Sequence, residues 1–264
     1  MYGKELALGN TSLGGRLFYA LLGLDHMGQR VRAFHVMRLL KKENINPVKI
    51  LDAGCGDGML TFSLSRRYKD AIITGVDFDA DLFGNCKLIL SRTGQSNISF
   101  RQADLVSLNG KAEYDLIICI DVLEHIQDDQ QALKNLFAAL NDEGVAIIHV
   151  PRNHKLNKYY LGGSSFQRRQ SDHVRDEYIE EEIVSKIEAA GFKIMEKRYT
   201  FGFFGSVSRE LFYKIERLNS RVRFLAKLAL FPLMAGFAFL DTKSANSRYQ
   251  GYLFKLMKPK GQHE

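Results

Sequence analysis

Cysteine is scarce in this chain. Cys55, Cys86 and Cys119 are the three present, an odd number with no metal-ligand spacing. That argues against a disulfide framework and a cysteine metal site, and for a reducing compartment. Proline numbers only four, so a long extended linker is not expected. No internal repeat and no low-complexity tract interrupts the chain. The opening stretch "MYGKELALGN" carries no apolar run with a cleavage site, so no signal peptide is read there and the cytoplasm is the default expectation.

What is present is the composition of a globular protein, 45% hydrophobic and 25% charged. At 264 residues it makes one large domain, or one domain with an appendage, and can bury a core without staples. The net charge of +7 is unevenly spread. Residues 49–150 hold 9 Lys and Arg against 15 Asp and Glu, a net of −6, so the flanks carry +13. An acidic middle between basic ends suggests a division of labour, with nucleic acid or an anionic membrane surface as candidate partners of the flanks.

Strand and helix alternate from Val48 onward. "VKILDAG", "AIITGVD", "ISFRQAD", "YDLIICID" and "GVAIIHVP" read as strands, and "MLTFSLSRRY", "ADLFGNCKLILSR" and "DDQQALKNLFAAL" as the helices between them. "YDLIICID" is too apolar to be half exposed and is expected at the sheet centre. Near-continuous apolar strands in this rhythm require a parallel sheet covered on both faces. "YIEEEIVSKIEAAGF" adds a helix ended by Gly191, "FKIMEKRYT" a sixth strand and "GYLFKLMKP" a seventh. Residues 1–47 form an N-terminal helical flank, in which Val31, Phe34, Met37 and Leu40 mark an apolar stripe among arginines. Residues 48–199 form the sheet core, 200–250 an insertion, and 251–264 the last strand and tail.

The stretch "ILDAGCGDGML" places Gly54, Gly56 and Gly58 directly after the first strand, where an open parallel sheet binds ligands. The dinucleotide fingerprint G-x-G-x-x-G fits poorly, since its last glycine falls one place early. Asp52 and Asp57 would also face a pyrophosphate. Two carboxylates suit a ligand with an ammonium or a sulfonium group.

Over residues 48–199, and weakly in the last strand, the chain resembles the class I S-adenosylmethionine-dependent methyltransferases. "ILDAGCGDG" resembles that family's first motif, "GVDFDA" the acidic end of its second strand, "QADL" its adenine-reading segment, "YDLIICIDVLEHI" its fourth motif, and "GVAIIHVP" its fifth strand. The resemblance implies an α/β Rossmann-like fold with a seven-stranded, mostly parallel sheet, helices on both faces, N-terminal helices and a helical insertion before the last strand. It implies S-adenosyl-L-methionine as cofactor, bound by Asp52, Gly54, Cys55 and Gly56. Asp77 would accept the ribose hydroxyls and Phe78 would pack on adenine. Asp104 and the backbone of Leu105 would read the adenine edge, and Ile120 and Asp121 would lie beside the methionine part. Glu124 and His125 would brace the loop. "DHVRDEY" resembles a stretch of members acting on small molecules, which makes His173 a candidate base and Arg175 a candidate anion clamp. No metal is implied, and Asp128 and Asp129 read as the acidic first turn of a helix.

The insertion does not belong to that sheet. Leu211, Ile215, Leu218, Val222, Leu225 and Ala229 predict one amphipathic helix with basic residues on its other faces. The apolar run "LALFPLMAGFAFL", broken at Pro232, would follow as a hairpin too short to span a bilayer. Segment 208–240 therefore stands as an anchor on the inner face of a membrane, a lid, or a dimer surface. The expected activity is O-methylation of a hydrophobic or lipid-linked small molecule, such as a quinone precursor or a polyprenyl-linked sugar. The first alternative is an RNA methyltransferase: the basic flanks allow it, while basic and aromatic residues interleave sparsely in the middle and no Asn-Pro-Pro-Tyr motif follows the fourth strand. A non-catalytic cofactor-binding scaffold on membranes is the third reading.

Overall fold

The computed structural model describes residues 16–17, 20, 22–23, 26–43, 45–109, 111–153, 157, 159–162, 174–175, 178–244 and 249–261. Seven strands form one sheet: β1 (Lys49–Ala53), β2 (Ile72–Asp77), β3 (Ile98–Gln102), β4 (Tyr114–Ile120), β5 (Leu140–Pro151), β6 (Lys193–Thr200) and β7 (Gly251–Met257). Their order is β3-β2-β1-β4-β5-β7-β6. Only β7 runs antiparallel to its neighbours β5 and β6. The chain reverses its direction of travel across the sheet between β1 and β4, and the crevice beyond those strands' carboxyl ends is where such sheets bind ligands.

Two cores lie on opposite faces of the sheet, and strand alternation divides the side chains between them. Leu51 and Ala53, Ile117 and Cys119, and Ala146, Ile148 and Val150 face one core. There they meet α4 (Asp129–Ala139) and α5 (Glu180–Ala189) through Leu133, Leu136, Ile183 and Ile187. Ile50, Leu116, Ile118 and Ile147 face the other core, against α1 (Met27–Glu43) and α2 (Met59–Arg67). Helix α3 (Phe83–Thr93) covers the β2–β3 edge through Cys86 and Ile89. β4, between β1 and β5, takes the central place its apolar sequence predicts.

The insertion departs from the predicted arrangement. It is a hairpin of α6 (Phe203–Glu216) and α7 (Ser220–Asp241), not one amphipathic helix followed by a break at Pro232. The break falls at Arg217–Asn219, where the Asn219 side chain accepts a hydrogen bond from Val222 N–H at 3.1 Å and starts the new helix. Pro232 lies inside α7. Among the described residues α7 is long and apolar enough to cross a membrane, which corrects the shorter length read from the sequence. Its inner stripe is nevertheless committed to protein: Phe231 and Met234 pack with Met27 of α1 and with Phe212 and Ile215 of α6. Burial of α1 is correspondingly wider than one stripe, since it is covered by the sheet on one side and the hairpin on another. Arg30 and His35 are buried there along with Val31, Ala33, Val36, Leu39 and Leu40.

Candidate functional site

The loop after β1 is held against the end of β2. Gly54 and Cys55 N–H groups both donate to the Val76 carbonyl, at 2.8 and 2.9 Å. Gly54 and Gly56 adopt left-handed backbone with φ of 78° and 54°. A Cβ at Gly54 would lie 2.2 Å from Val122 Cγ2, so the close approach of the loops after β1 and β4 requires glycine there. A Cβ at Gly56 would meet no protein atom within 4 Å and would project into open space.

That space belongs to two cavities of about 780 and 730 Å³ that share Gly54, Gly56, Leu82, Asp121 and His125. The smaller one is lined by Asp77, Phe78, Asp104 and Leu105, the residues that the sequence motifs assign to ribose and adenine. Asp77 closes β2; its carboxylate accepts from Gly56 N–H at 2.8 Å and Asp79 N–H at 3.1 Å. A carboxylate has lone pairs left after two such bonds. Phe78 is 72% exposed, a large ring without a protein cover. Asp104 makes an Asx turn with Val106 N–H at 2.9 Å, which shapes the opposite wall.

The larger cavity begins on acidic ground, lined by Asp52, Cys55, Asp57, Ile120 and Asp121. Asp52 is buried and accepts the Thr61 hydroxyl at 2.6 Å. Burial pushes its carboxyl up to about 6; Asp57 and Asp77 push the same way, against the Thr61 hydrogen bond. Burial also raises Asp57. The Cys55 thiol is raised by burial and by Asp52, which keeps it protonated and a poor nucleophile.

Asp121 sits just past β4 with left-handed φ of 53°. Its N–H bonds the His149 carbonyl at 3.0 Å, and its carboxylate pairs with Arg32 of α1 and the His149 Nδ1. Burial alone would raise this carboxyl, but Arg32 and His149 outweigh it and hold the group at about 2. His149 is lowered chiefly by burial, so the neutral ring donates from Nδ1 to Asp121 and accepts the Thr200 hydroxyl at Nε2, 2.8 Å away. The ion pair and hydrogen bonds linking Arg32, Asp121, His149 and Thr200 thus tie α1, β4, β5 and β6 together beside the site. In the sequence pattern His149 reads as structural and Arg32 does not stand out. Its only signal is that it is one of the basic residues, with Arg30, Arg38 and Lys41, interleaved with the apolar stripe of α1.

Arg175 and His173 fare differently from the cofactor set. His173 lies outside the described residues. Arg175 lines neither cavity: it pairs with Asp129 at 2.8 Å and donates to the Ile126 and Gln127 carbonyls. A guanidinium engaged in this way braces the loop after β4 and is not placed to clamp a ligand. Asp129 does more than begin a helix, since it also accepts from Tyr178 at 2.6 Å and Lys186 at 2.7 Å. Asp128 caps α4 through Gln131 N–H at 2.9 Å. Glu124 is buried, and its carbonyl accepts Val174 N–H at 3.1 Å, consistent with a bracing role for that loop. Among the described residues no group of three or more His, Cys, Asp or Glu is arranged to hold a metal ion.

The far wall of the larger cavity comes from elements outside the predicted motifs. Arg209 and Tyr213 of α6, Arg217 after it, Arg152 after β5, and His26 and Gln29 near the start of α1 line it. Tyr159 closes one side, on a loop pinned to α6 where Glu210 accepts the Tyr160 and Leu161 N–H groups at 3.0 and 2.7 Å.

A doubly covered, mostly parallel sheet with this strand order, and a glycine loop and strand-end acids at its switch point, defines a protein of the class I methyltransferase fold. Comparison with known proteins agrees. Residues 25–197 match the family described as methyltransferase domain, and the chain belongs to that family. A ubiquinone biosynthesis O-methyltransferase of Coxiella burnetii is 33% identical over 119 residues, 44% of this chain and 50% of the relative. The chain spans about half the length of the curated relatives it matches. Among solved structures, phosphoethanolamine N-methyltransferase 2 of Haemonchus contortus aligns with a TM-score of 0.62 at 16% identity, over 95% of this chain and 61% of that one. The cyclase SpnF aligns at 0.58 and 20% identity, over 86% of this chain and 81% of that one. At such identities the structural likeness speaks for the fold alone.

Proposed function

We propose that the chain is an S-adenosylmethionine-dependent O-methyltransferase acting on a hydrophobic or lipid-linked small molecule. The observation that carries this reading is the meeting of two cavities at Gly54, Gly56 and Asp121. One is lined by a strand-end acid and an exposed ring, and the other runs from an acidic floor to the inserted hairpin. The donor set fits the cofactor: Asp77 and Asp104 for hydroxyl and amino donors, Phe78 for a flat base, and the open space at Gly56 for a close-lying chain. Asp52, Asp57 and Asp121 suit its positive end, and Arg32, which lines the same cavity, would be the nearest cation to its carboxylate end.

When bound, S-adenosylmethionine supplies an electrophilic methyl group on sulfonium sulfur. The residues of this chain then act in three ways. The glycine loop and Asp77 fix the position of the donor, and alignment of the reacting atoms is the main source of rate in such a transfer. The walls of the larger cavity exclude water and orient the acceptor. A base removes the acceptor's hydroxyl proton, and His173 remains the proposed group, with His26 and His125 lining the cavity as the described alternatives.

The relatives named for ubiquinone biosynthesis favour a quinone precursor, and a polyprenyl-linked sugar fits the same surface. The outer face of α7 supports a lipid-borne acceptor: Phe224, Leu225, Leu228, Leu233, Phe239 and Leu240 are all exposed on it. Because the inner stripe packs on α1 and α6, the helix is suited to lie in the interface of an anionic membrane and not to cross it. RNA is disfavoured by the acidic lining around the glycine loop.

Calorimetry with S-adenosylmethionine and with NAD, followed by methyl transfer from labelled cofactor into a lipid extract, tests the proposal. The expected result is S-adenosylmethionine binding and label in an organic-soluble product; binding of NAD alone would refute it. Asp77→Ala should weaken the cofactor by about 1–3 kcal/mol, because it leaves hydroxyl donors and the Gly56 N–H without an acceptor. Unchanged affinity in that variant removes Asp77 from the ribose.

A further inference from the structure

The larger cavity carries a charge pattern that holding the cofactor does not require. Arg209, Tyr213 and Arg217 follow one another at intervals of four residues, so α6 and its last turn present them in a single row, and all three line the cavity. Arg209 is the informative member. Its guanidinium donates to the neutral side-chain oxygen of Gln250 and lies 4.7 Å from the Phe201 ring centroid. Among the described residues no carboxylate forms an ion pair with it. The adjacent Glu210 gives its carboxylate to the Tyr160 and Leu161 N–H groups. Arg32, also over the Phe201 ring, differs in being matched by Asp121.

Burial lowers the Arg209 pKa from its ordinary value, and the nearby charge of Arg32 lowers it further. The group stays cationic at neutral pH all the same. Arg209 is half-buried and, among the described residues, forms no ion pair, so an anion entering the cavity would gain a charge-assisted partner there. The lining of the cavity thus carries both signs, carboxylates under the glycine loop and guanidinium groups on the hairpin.

We propose that the α6 end of this cavity is an oxyanion site, where Arg209, with Tyr213 and Arg217 in the same row, receives a carboxylate or phosphate group carried by the methyl acceptor. This rests on the methyltransferase reading and narrows its substrate class to amphiphiles with an anionic head. A planar guanidinium offers two parallel N–H donors, a geometry that matches both groups. The site also gives the insertion a purpose, since the hairpin supplies the charge that selects the acceptor while the sheet supplies the cofactor half.

The test uses the full chain saturated with S-adenosylhomocysteine, titrated by calorimetry with benzoate, phenyl phosphate and, as the neutral counterpart, benzyl alcohol. The two anions should bind at least tenfold more tightly than the alcohol, and their ranking distinguishes carboxylate from phosphate. Arg209→Gln should abolish that preference and leave S-adenosylhomocysteine affinity within about twofold, whereas Arg209→Lys should keep part of it. Arg217→Gln, which perturbs no buried packing, should reduce the preference severalfold and serves if the Arg209 variants do not fold. Equal binding of charged and neutral probes overturns the proposal. So does loss of S-adenosylhomocysteine binding in Arg209→Gln, which would assign Arg209 to the cofactor. Wild-type protein that takes the anions but not S-adenosylhomocysteine would overturn the methyltransferase reading and leave the oxyanion site standing.

Discussion

Asp52 is a carboxyl whose chemistry is set by its surroundings. Its folded value of about 6 stands above the ordinary 3.8, chiefly through burial. Between those values the folded chain keeps a proton that the unfolded chain gives up, so stability falls as pH rises through about 6. Asp52→Asn, which keeps an acceptor for Thr61, should flatten that fall by about 1–3 kcal/mol in urea melts taken from about pH 4 to pH 7. A variant with the same slope as the parent would show that Asp52 ionises freely. The sign reverses for the ligand. A cation bound beside Asp52 favours the carboxylate, so S-adenosylmethionine should bind more tightly as pH rises through about 6 and release a proton on binding. Calorimetry in buffers of different ionisation heat reads that proton directly. Asp52, Gly54 and Asp77 are legible in the sequence because each stands at or just past the carboxyl end of a strand whose apolar run is unmistakable. Arg32, Arg209 and the His149–Asp121 bond are not, because helix arginines read as solvated and a strand histidine reads as core until tertiary packing puts them beside an acid or a cavity.

At the scale of elements, the inserted hairpin depends on one buried carboxylate. Asp241, at the end of α7, is fully buried and accepts from Phe201 N–H, Gly205 N–H and His35 Nε2, each at 2.9 Å. It therefore caps the start of α6, closes α7 and ties both to α1. A Cβ on Gly205 would sit 2.7 Å from its carboxyl carbon, so glycine is required for the approach. Asp241→Ala leaves these donors buried without a partner and should cost about 2–5 kcal/mol, read as a lower urea midpoint. A loss below about 1 kcal/mol would mean that the hairpin holds by apolar contacts alone. The same hairpin shows where periodicity misleads. Apolar spacing runs on from Leu211 to Ala229 without a fault, and Pro232 looks like the stop. The real break is set by the Asn219 cap, a local signal that the longer pattern masks. The strands of the sheet are easier, since alternation over a few residues suffices to assign each side chain to one of two cores.

For the whole molecule, the question is how the apolar-tailed acceptor proposed above would reach a cavity lined by both the sheet and the hairpin. Helix α7 is about 33 Å long at 22 residues. Leu225 is 64% exposed on it, and Phe224, Leu228 and Leu233 each about half. Basic residues stand near both ends, with Arg217, Arg221 and Arg223 before or within its first turn and Lys243 after its last. An apolar stripe between cations fits the boundary of an anionic bilayer, where the acyl region takes the stripe and the headgroups take the charges. The α6 face that lines the cavity and the α7 face that is bare belong to one hairpin, so docking α7 on lipid would bring the cavity to the membrane surface. The protein should float with phosphatidylglycerol-containing vesicles and much less with purely zwitterionic ones, and added salt should weaken the association. Leu225→Glu with Leu228→Glu should reduce vesicle binding at least tenfold without moving S-adenosylhomocysteine affinity, since neither residue lines the cavity. If instead the parent protein dimerises with rising concentration in light scattering, ignores vesicles, and becomes monomeric in the double variant, the stripe is a protein interface and the acceptor must arrive through water.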